Sequence, residues 1–454
     1  MTGCVAKIVQ FSSNWNNSLN AGVSYRNANN TPSNSNRNIS AHLELRNNAI
    51  SEQQRNQICT ADEHKTKEPP CISIQMENVH GSSKNMKRVG NLFEKIIDID
   101  NLKLAHKNAM KGKTYYQDVK MVDRDPDQFL WRLHDSLKNK TFTTSPYVTK
   151  QIYEPKPRLI YKLPYFPDRI VHHAIMNILQ PIWDKTFIYD LYSAIPGKGL
   201  HAGSYRLRQF MRDKENTRYC LKFDVSKFYP SINHDILMEK IRKKIKCKDT
   251  LWLLEEIVRS PGGNTNTPIG NYLSQYFSNI YLSDFDHWIK EKKKMRYYIR
   301  YCDDGVILHN EKCVLEELSI EIEEYLRDRL SLTLNPKTRV LDVDKQGIDF
   351  LGYRCFSNFT LLRKQSALNF KRKVRYIETH QVDPSFILCS IMSSIGWLKH
   401  SDSHNILNKY IFNNPLIIYK VSSASQFLNC NNPLTKYLET ANARIYNLSS
   451  WNRN

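Results

Sequence analysis

No run of about 18 apolar residues occurs in this chain of 454 residues, so hydropathy excludes a membrane-spanning helix. The N-terminus lacks the basic-then-apolar layout of a secretory signal. The ten cysteines are scattered without one Cys-x-x-Cys pair, which argues against a zinc ribbon and against a disulfide framework. Reduced thiols in a cytoplasmic setting, with no membrane partner, are the expectation. The glycine-rich stretch at 194–201 lacks the spacing of a phosphate-cradling Walker loop and reads as a plain turn into a helix. Negative charge is also in short supply. There are 45 Asp and Glu against 66 Lys and Arg, for a net charge of +21. Residues 1–85 carry only +2 of this, so +19 falls on residues 86–454. Such an excess supplies the sequence-independent attraction that a polyanion-handling protein needs. A merely soluble basic surface has the same composition.

What is present falls into two parts. From 14 to 48, asparagine supplies 12 of 35 residues, and few apolar residues recur at helical or strand spacing. Composition there predicts loop or disorder. Residues 49–85 are polar and read as a linker. Patterned sequence follows, with Phe93, Ile96 and Ile97 at helical spacing, then Leu102, Leu104 and Ala105. A capped amphipathic helix is predicted over 125–138, with Phe129, Leu130, Leu133 and Leu137 on one face. Two strands are predicted over 147–153 and 158–163, and Pro155 and Pro157 confine their connection to a turn. Another helix is predicted over 168–187, carrying Ile170, Ala174, Ile178 and Leu179.

The chemistry concentrates at 296–308. Apolar and aromatic residues run into Tyr301 and out again at Val306, Ile307 and Leu308, around Asp303-Asp304-Gly305. Two β-rich runs about an Asp-Gly pair predict a hairpin with its polar tip at 303–305. Adjacent carboxylates repel unless a cation sits between them, and a hard divalent ion with oxygen ligands is the natural occupant. An acidic surface turn is the plain alternative. A further aspartate, Asp224, ends the short apolar run 220–223, which reads as a buried strand. Two strands that each bring an aspartate to one point make a two-metal site for in-line phosphoryl transfer.

Tyr301-Cys302-Asp303-Asp304 resembles the Tyr-x-Asp-Asp box of reverse transcriptases, and residues 223–232 resemble their first palm aspartate motif. The resemblance spans roughly residues 91–410 in motif order and spacing. It implies a mixed α/β (α+β) right-hand polymerase. Fingers would lie mainly in 86–200, the palm with its antiparallel sheet and catalytic hairpin mainly in 201–355, and a small helical thumb in 356–454. A fingers insertion would fall at 240–262. It also implies two magnesium ions about 4 Å apart, held by Asp224 and Asp303, with Asp304 tuning them and the Val225 carbonyl as an added ligand. Tyr229 falls where the family places an aromatic gate against a ribose 2′-hydroxyl, and Lys156 and Arg158 where fingers cations reach the triphosphate. Each has a plain reading too, as a core aromatic and a solvated turn. Lys337 sits in the fourth palm motif as a candidate proton donor to pyrophosphate, or as a surface lysine. Gly347, Leu351 and Gly352 lie in a stretch resembling the primer-grip hairpin, where glycine lets backbone approach the primer end. Residues 369–375 and 394–400 read as basic, largely helical thumb segments for a template–primer duplex.

One motif departs from the common form. Most reverse transcriptases write Pro-Gln-Gly-x-x-x-Ser-Pro where this chain has Pro268-Ile269-Gly270, then Ser274-Gln275. The Ile-Gly-x-x-x-Ser-Gln form resembles that of diversity-generating retroelements, and residues 14–23 and 36–42 resemble a translated template repeat of such an element. Ile269 then removes a polar group near the templating base pair, which weakens rejection of wrong pairs. A neutral packing exchange is the alternative reading. The resemblance implies error-prone copying of a template RNA at adenines, with deoxynucleoside triphosphates, an RNA/cDNA duplex and a small basic accessory protein as partners. It also makes Met86 the expected initiator and residues 1–85 a disordered, dispensable leader. Reverse transcriptases of retron, group II intron or phage-defence type remain open. The short stretch after the last palm motif counts against the intron type, and the Ile269/Gln275 pair disfavours a retron or defence enzyme. A catalytically idle RNA-binding scaffold is the rival of a different class, and the three intact aspartates argue against it.

Overall fold

A computed structural model describes residues 88–153, 157–430, 432 and 434. The expectations for residues 1–85 and for Lys156 therefore lie outside the described residues. Four helices come first: α1 (Phe93–Ile97), α2 (Ile99–Ala109), α3 (Gln117–Arg124) and α4 (Pro126–Lys138). Asp98 separates the first two and caps α2, accepting from the amides of Asp100 and Asn101. Asp125 caps α4 with Pro126 at the first helical position, where a missing N–H costs nothing. Leu130, Leu133 and Leu137 are buried, as the spacing predicts.

Strands β1 (Val148–Ile152) and β2 (Arg158–Lys162) pair antiparallel. Helix α5 (Ile170–Asp184) and helix α6 (Leu200–Phe210) lead to β3 (Tyr219–Phe223). Helices α7 (His234–Lys244), α8 (Lys248–Arg259) and α9 (Tyr272–His287) precede the hairpin β4 (Tyr297–Tyr301) and β5 (Asp304–His309). After α10 (Lys312–Leu330) come β6 (Arg339–Asp342) and the small sheet β7 (Ile348–Phe350), β8 (Tyr353–Cys355) and β9 (Thr360–Leu362). Helices α11 (Lys364–Thr379), α12 (Pro384–Leu398) and α13 (Pro415–Phe427) follow.

The central sheet has the order β4-β5-β3-β6 and is antiparallel throughout. Alternate residues of its strands enter two different cores. Leu221, Phe223, Tyr298 and Ile307 pack with the N-terminal helices and α7–α10. Cys220, Ile299, Val306, Leu308 and Leu341 pack with the small sheet and α11–α13. A sheet buried on both faces takes apolar residues at most positions, which is why 306–308 reads as a continuous run and 220–223 as a run broken only by Lys222. The fold is thus mixed α/β with antiparallel sheets.

The hairpin corrects one expectation. Tyr301 pairs with Asp304, so the turn is Cys302-Asp303, with Cys302 at φ 54°. Asp304 and Gly305 already belong to β5. The Asp-Gly pair misplaced the tip because Gly305 serves a different purpose. It lies opposite Phe223, and a Cβ there would stand 2.1 Å from the Phe223 ring.

Candidate active site at the hairpin tip

The register that pairs Phe223 with Gly305, carried on by one residue, sets Asp224 opposite Asp304. Asp303 stands in the turn next to Asp304, and all three side chains are half-buried. Burial, then the charge of Asp224, pushes the Asp303 carboxyl up to about 7. Burial also raises Asp304, against the pull of Lys222, whose Nζ lies 3.8 Å from Asp304 Oδ1. Converging carboxylates of this kind are stabilised by a hard cation. Among the described residues, no three His, Cys, Asp or Glu side chains stand together as a ready-made metal cage. Magnesium does not require one, since one or two carboxylates plus substrate phosphates ordinarily hold it. The all-oxygen donor set fits that mode.

Asp224 is held from a segment where sequence reasoning chose a different residue. Asn335 Nδ2 donates to Asp224 Oδ2 at 2.9 Å, and the Asn335 amide donates to the Asp224 carbonyl at 2.8 Å. The Asn335 side-chain oxygen meanwhile accepts from the Lys337 amide at 3.1 Å. Lys337 itself is exposed. The backbone bonds joining this segment to residues 333–335 use the Asp224 carbonyl and the Ser226 amide, so the Val225 carbonyl takes no part in them. The Asn-Pro pair at 335–336 marked a turn, but nothing local showed that its amide would reach residue 224. Asn335→Ala should lower the rate of nucleotide addition about tenfold or more, because a hydrogen bond to a charged group is worth about 1.5–3 kcal/mol. Thermal melts beside primer-extension rates check that the loss is not one of folding.

The other candidates surround this point unevenly. Tyr229 is half-buried and its hydroxyl donates toward Cys302 Sγ at 3.9 Å, which brings it to the tip. Arg158 opens β2, and its charge acts on Asp303. Ile269 accepts from the Tyr161 amide at 2.8 Å, so its loop lies along β2. Gly270 has φ 122°, and a Cβ there would come within 2.5 Å of the Tyr161 carbonyl oxygen. Gln275 stands in the first turns of α9, half-buried. The hairpin at 347–353 turns at Leu351-Gly352, with φ of 51° and 85°. Its glycines meet protein rather than open space. A Cβ on Gly352 would stand 2.6 Å from Trp397, and one on Gly347 would stand 2.8 Å from Phe356. The hairpin is tied to the site by Lys222, whose Nζ donates to the Asp349 carbonyl at 2.6 Å.

Residues 148–355, which include every one of these candidate site residues, match the family profile described as reverse transcriptase (RNA-dependent DNA polymerase). They are a reverse transcriptase domain. Protein YkfC of Escherichia coli (strain K12) is 26% identical over 278 residues, covering 51% of this chain and 71% of that protein. The putative COX1/OXI3 intron 2 protein of Saccharomyces cerevisiae is 19% identical over 331 residues, covering 54% of this chain and 38% of that one. The group II intron-encoded protein LtrA of Lactococcus lactis is 22% identical over 241 residues, covering 49% of this chain and 39% of that one. The homologues of this reverse transcriptase domain thus include group II intron-encoded proteins, and the chain spans well under half the length of two of these three relatives. The central antiparallel sheet of this domain carries its paired aspartates at one end. No described helix is long and apolar enough to cross a membrane.

Proposed function

We propose that this chain copies a template RNA into DNA with frequent errors at adenines, in the manner of a diversity-generating retroelement. Asp224 and Asp303 hold magnesium, and Asp304, paired with Lys222, tunes the charge beside them. The chemistry that two bound ions supply is a lowered pKa for the primer hydroxyl and neutralisation of the triphosphate. Asn335 fixes the rotamer of Asp224 and so the aim of its free oxygen. Arg158, with Lys156, draws the triphosphate toward the tip, where a guanidinium suits bidentate phosphate contact. The Tyr229 ring closes the space a ribose 2′-hydroxyl would need. Lys337, which is exposed, would return a proton to departing pyrophosphate. Residues 86–200, 201–355 and 356–454 would serve mainly as fingers, palm and thumb. Template RNA, deoxynucleoside triphosphates and a small basic accessory protein are the partners of this reading.

The observation that carries the mutagenic part is the setting of Ile269. This aliphatic side chain is half-buried yet belongs to neither apolar core, while its carbonyl is fixed to the Tyr161 amide of β2. Packing therefore does not explain why an isoleucine stands there, whereas a surface presented to the nascent base pair does. One lost hydrogen-bonding group changes discrimination by about 1–3 kcal/mol, roughly fivefold to beyond a hundredfold in error rate. Ile269→Gln is expected to reduce misincorporation opposite adenine, with less change opposite other bases. Deep sequencing of cDNA made by both forms on one RNA template measures this, and an unchanged adenine spectrum removes Ile269 from the fidelity argument. A second reading, an intron-type enzyme copying all four bases alike, is favoured by the similarity to LtrA. Equal wild-type error rates opposite every template base would decide for it.

A further inference from the structure

A full positive charge sits in the middle of β4, in a place where nothing is wet. The side chains of Arg300 and Asp286 are both 0% exposed. Arg300 Nε donates to Asp286 Oδ1 at 2.7 Å and its second terminal nitrogen donates to Oδ2 at 2.5 Å. Tyr298 adds its hydroxyl to Asp286 Oδ1 at 2.7 Å. A buried pair of this kind is poor value for stability alone, because apolar residues of similar volume commonly do as well. The third donor of the guanidinium is different. Arg300 Nη1 donates to the carbonyl of Cys302 at 2.6 Å, and no apolar side chain can replace that bond.

Cys302 is the first residue of the catalytic turn. Its φ of 54° is a conformation that a non-glycine residue holds only when its surroundings impose it. The peptide that carries the bonded carbonyl is the one that leads directly into Asp303. Fixing it fixes the direction in which the Asp303 carboxylate leaves the hairpin. Arg300 is itself immobilised on every side. Its amide donates to the Asp190 carbonyl at 3.1 Å, and its carbonyl accepts from the Tyr192 amide at 3.0 Å. The buried network thus reaches the tip through the Arg300 guanidinium. We infer that Arg300, oriented by Asp286 and Tyr298, is a positioning residue that clamps the Cys302 carbonyl and so sets Asp303 for nucleotide addition. This rests on the polymerase reading of the site.

The test separates the clamp from the ion pair. In the triple variant Arg300→Met/Tyr298→Phe/Asp286→Leu the whole buried network becomes apolar, so no charge or hydroxyl is left stranded. In Arg300→Lys the charge stays, but a single ammonium is expected to turn to Asp286 and leave the Cys302 carbonyl. Primer extension with magnesium gives kcat and KM for the nucleotide, RNA binding gives Kd, and melts with and without magnesium give Tm. For both variants we expect kcat to fall about 10- to 100-fold, the scale of a misplacement near 1 Å. KM and RNA Kd should stay within about twofold, and the rise in Tm on adding magnesium should shrink, because the tip no longer presents its carboxylates together. Wild-type kcat in the folded triple variant overturns the clamp and leaves the pair as packing. If the triple variant does not fold, wild-type kcat in Arg300→Lys overturns it equally. A wild-type chain that extends no primer at all overturns the polymerase reading together with the clamp.

Discussion

Asp303→Asn should reduce nucleotide addition by at least a thousandfold while leaving the metal-free protein as stable as the wild type, or more so, at neutral pH and above. The loss follows from chemistry: the amide removes the negative oxygen that a divalent cation requires, and such a cation contributes several kcal/mol to phosphoryl transfer. At about 1.4 kcal/mol per factor of ten, a thousandfold corresponds to about 4 kcal/mol, the scale of that contribution. The gain follows from electrostatics. Burial and Asp224 hold the Asp303 carboxyl at about 7, above the value of about 3.9 for an unfolded aspartate. Between those two pH values the folded chain binds more protons than the unfolded chain. Stability therefore falls as pH rises through this window and stays lower above it. Asparagine has no charge to lose, so the variant's stability should fall less steeply there, by the share that the raised Asp304 still contributes. Melting wild type and variant from pH 5 to pH 8 without divalent ions, and again with magnesium, reads both effects. Magnesium should raise the wild-type Tm more at pH 8 than at pH 5, and the variant far less. Asp224→Asn should share the catalytic loss, with RNA binding nearly intact in both. Near wild-type extension by either variant would remove that aspartate from the cation site.

How far the sequence led can be judged at particular residues. Asp224 and Asp303 were legible because each ends or interrupts an apolar run, and a run buried on both faces is a strong local signal. The α4 helix was legible from its cap and spacing, and the β1–β2 pair from its two prolines. The position of the turn was not. Asp-Gly is a turn signal through the φ freedom of glycine, yet Gly305 has no positive φ and is small because Phe223 lies across from it. Local rules cannot see a partner 82 positions away on the neighbouring strand. Asn335 was passed over for the same reason, since its bond to Asp224 is made across 111 residues. The glycines at 347 and 352 read as room for a primer, whereas the rings of Phe356 and Trp397 fill that room. Arg300 and Asp286 carried no signal at all. A charge within a strand reads as a solvated edge until its partner is known to be equally buried.

The close contact at Gly305 makes the other large effect. Its φ is ordinary, so alanine brings no backbone penalty and the whole effect comes from one added methyl. That methyl would stand 2.1, 2.5 and 2.6 Å from three carbons of the Phe223 ring, all far inside van der Waals contact. The ring has nowhere to go. Phe223 is 2% exposed and is set edge-on to Phe285 with ring centres 5.9 Å apart, and over Tyr298 at 6.4 Å. Relief must come from β3 and β5 moving apart, at the end of the sheet where Asp224 and Asp303 stand. Overpacking of this kind costs about 1–3 kcal/mol, and a shift near 1 Å between catalytic groups costs about a hundredfold in rate. Gly305→Ala should therefore lower the Tm and cut nucleotide addition about a hundredfold. In the double variant Phe223→Leu/Gly305→Ala the smaller side chain accepts the methyl. It should recover most of the rate that Gly305→Ala loses, a coupling that independent sites would not show. Stability, rate and RNA affinity measured for the two single variants and the double complete the cycle. Full activity in Gly305→Ala, or additive losses in the double variant, would show that the Phe223 ring yields without moving the strands, and that the aspartates owe their alignment to other contacts.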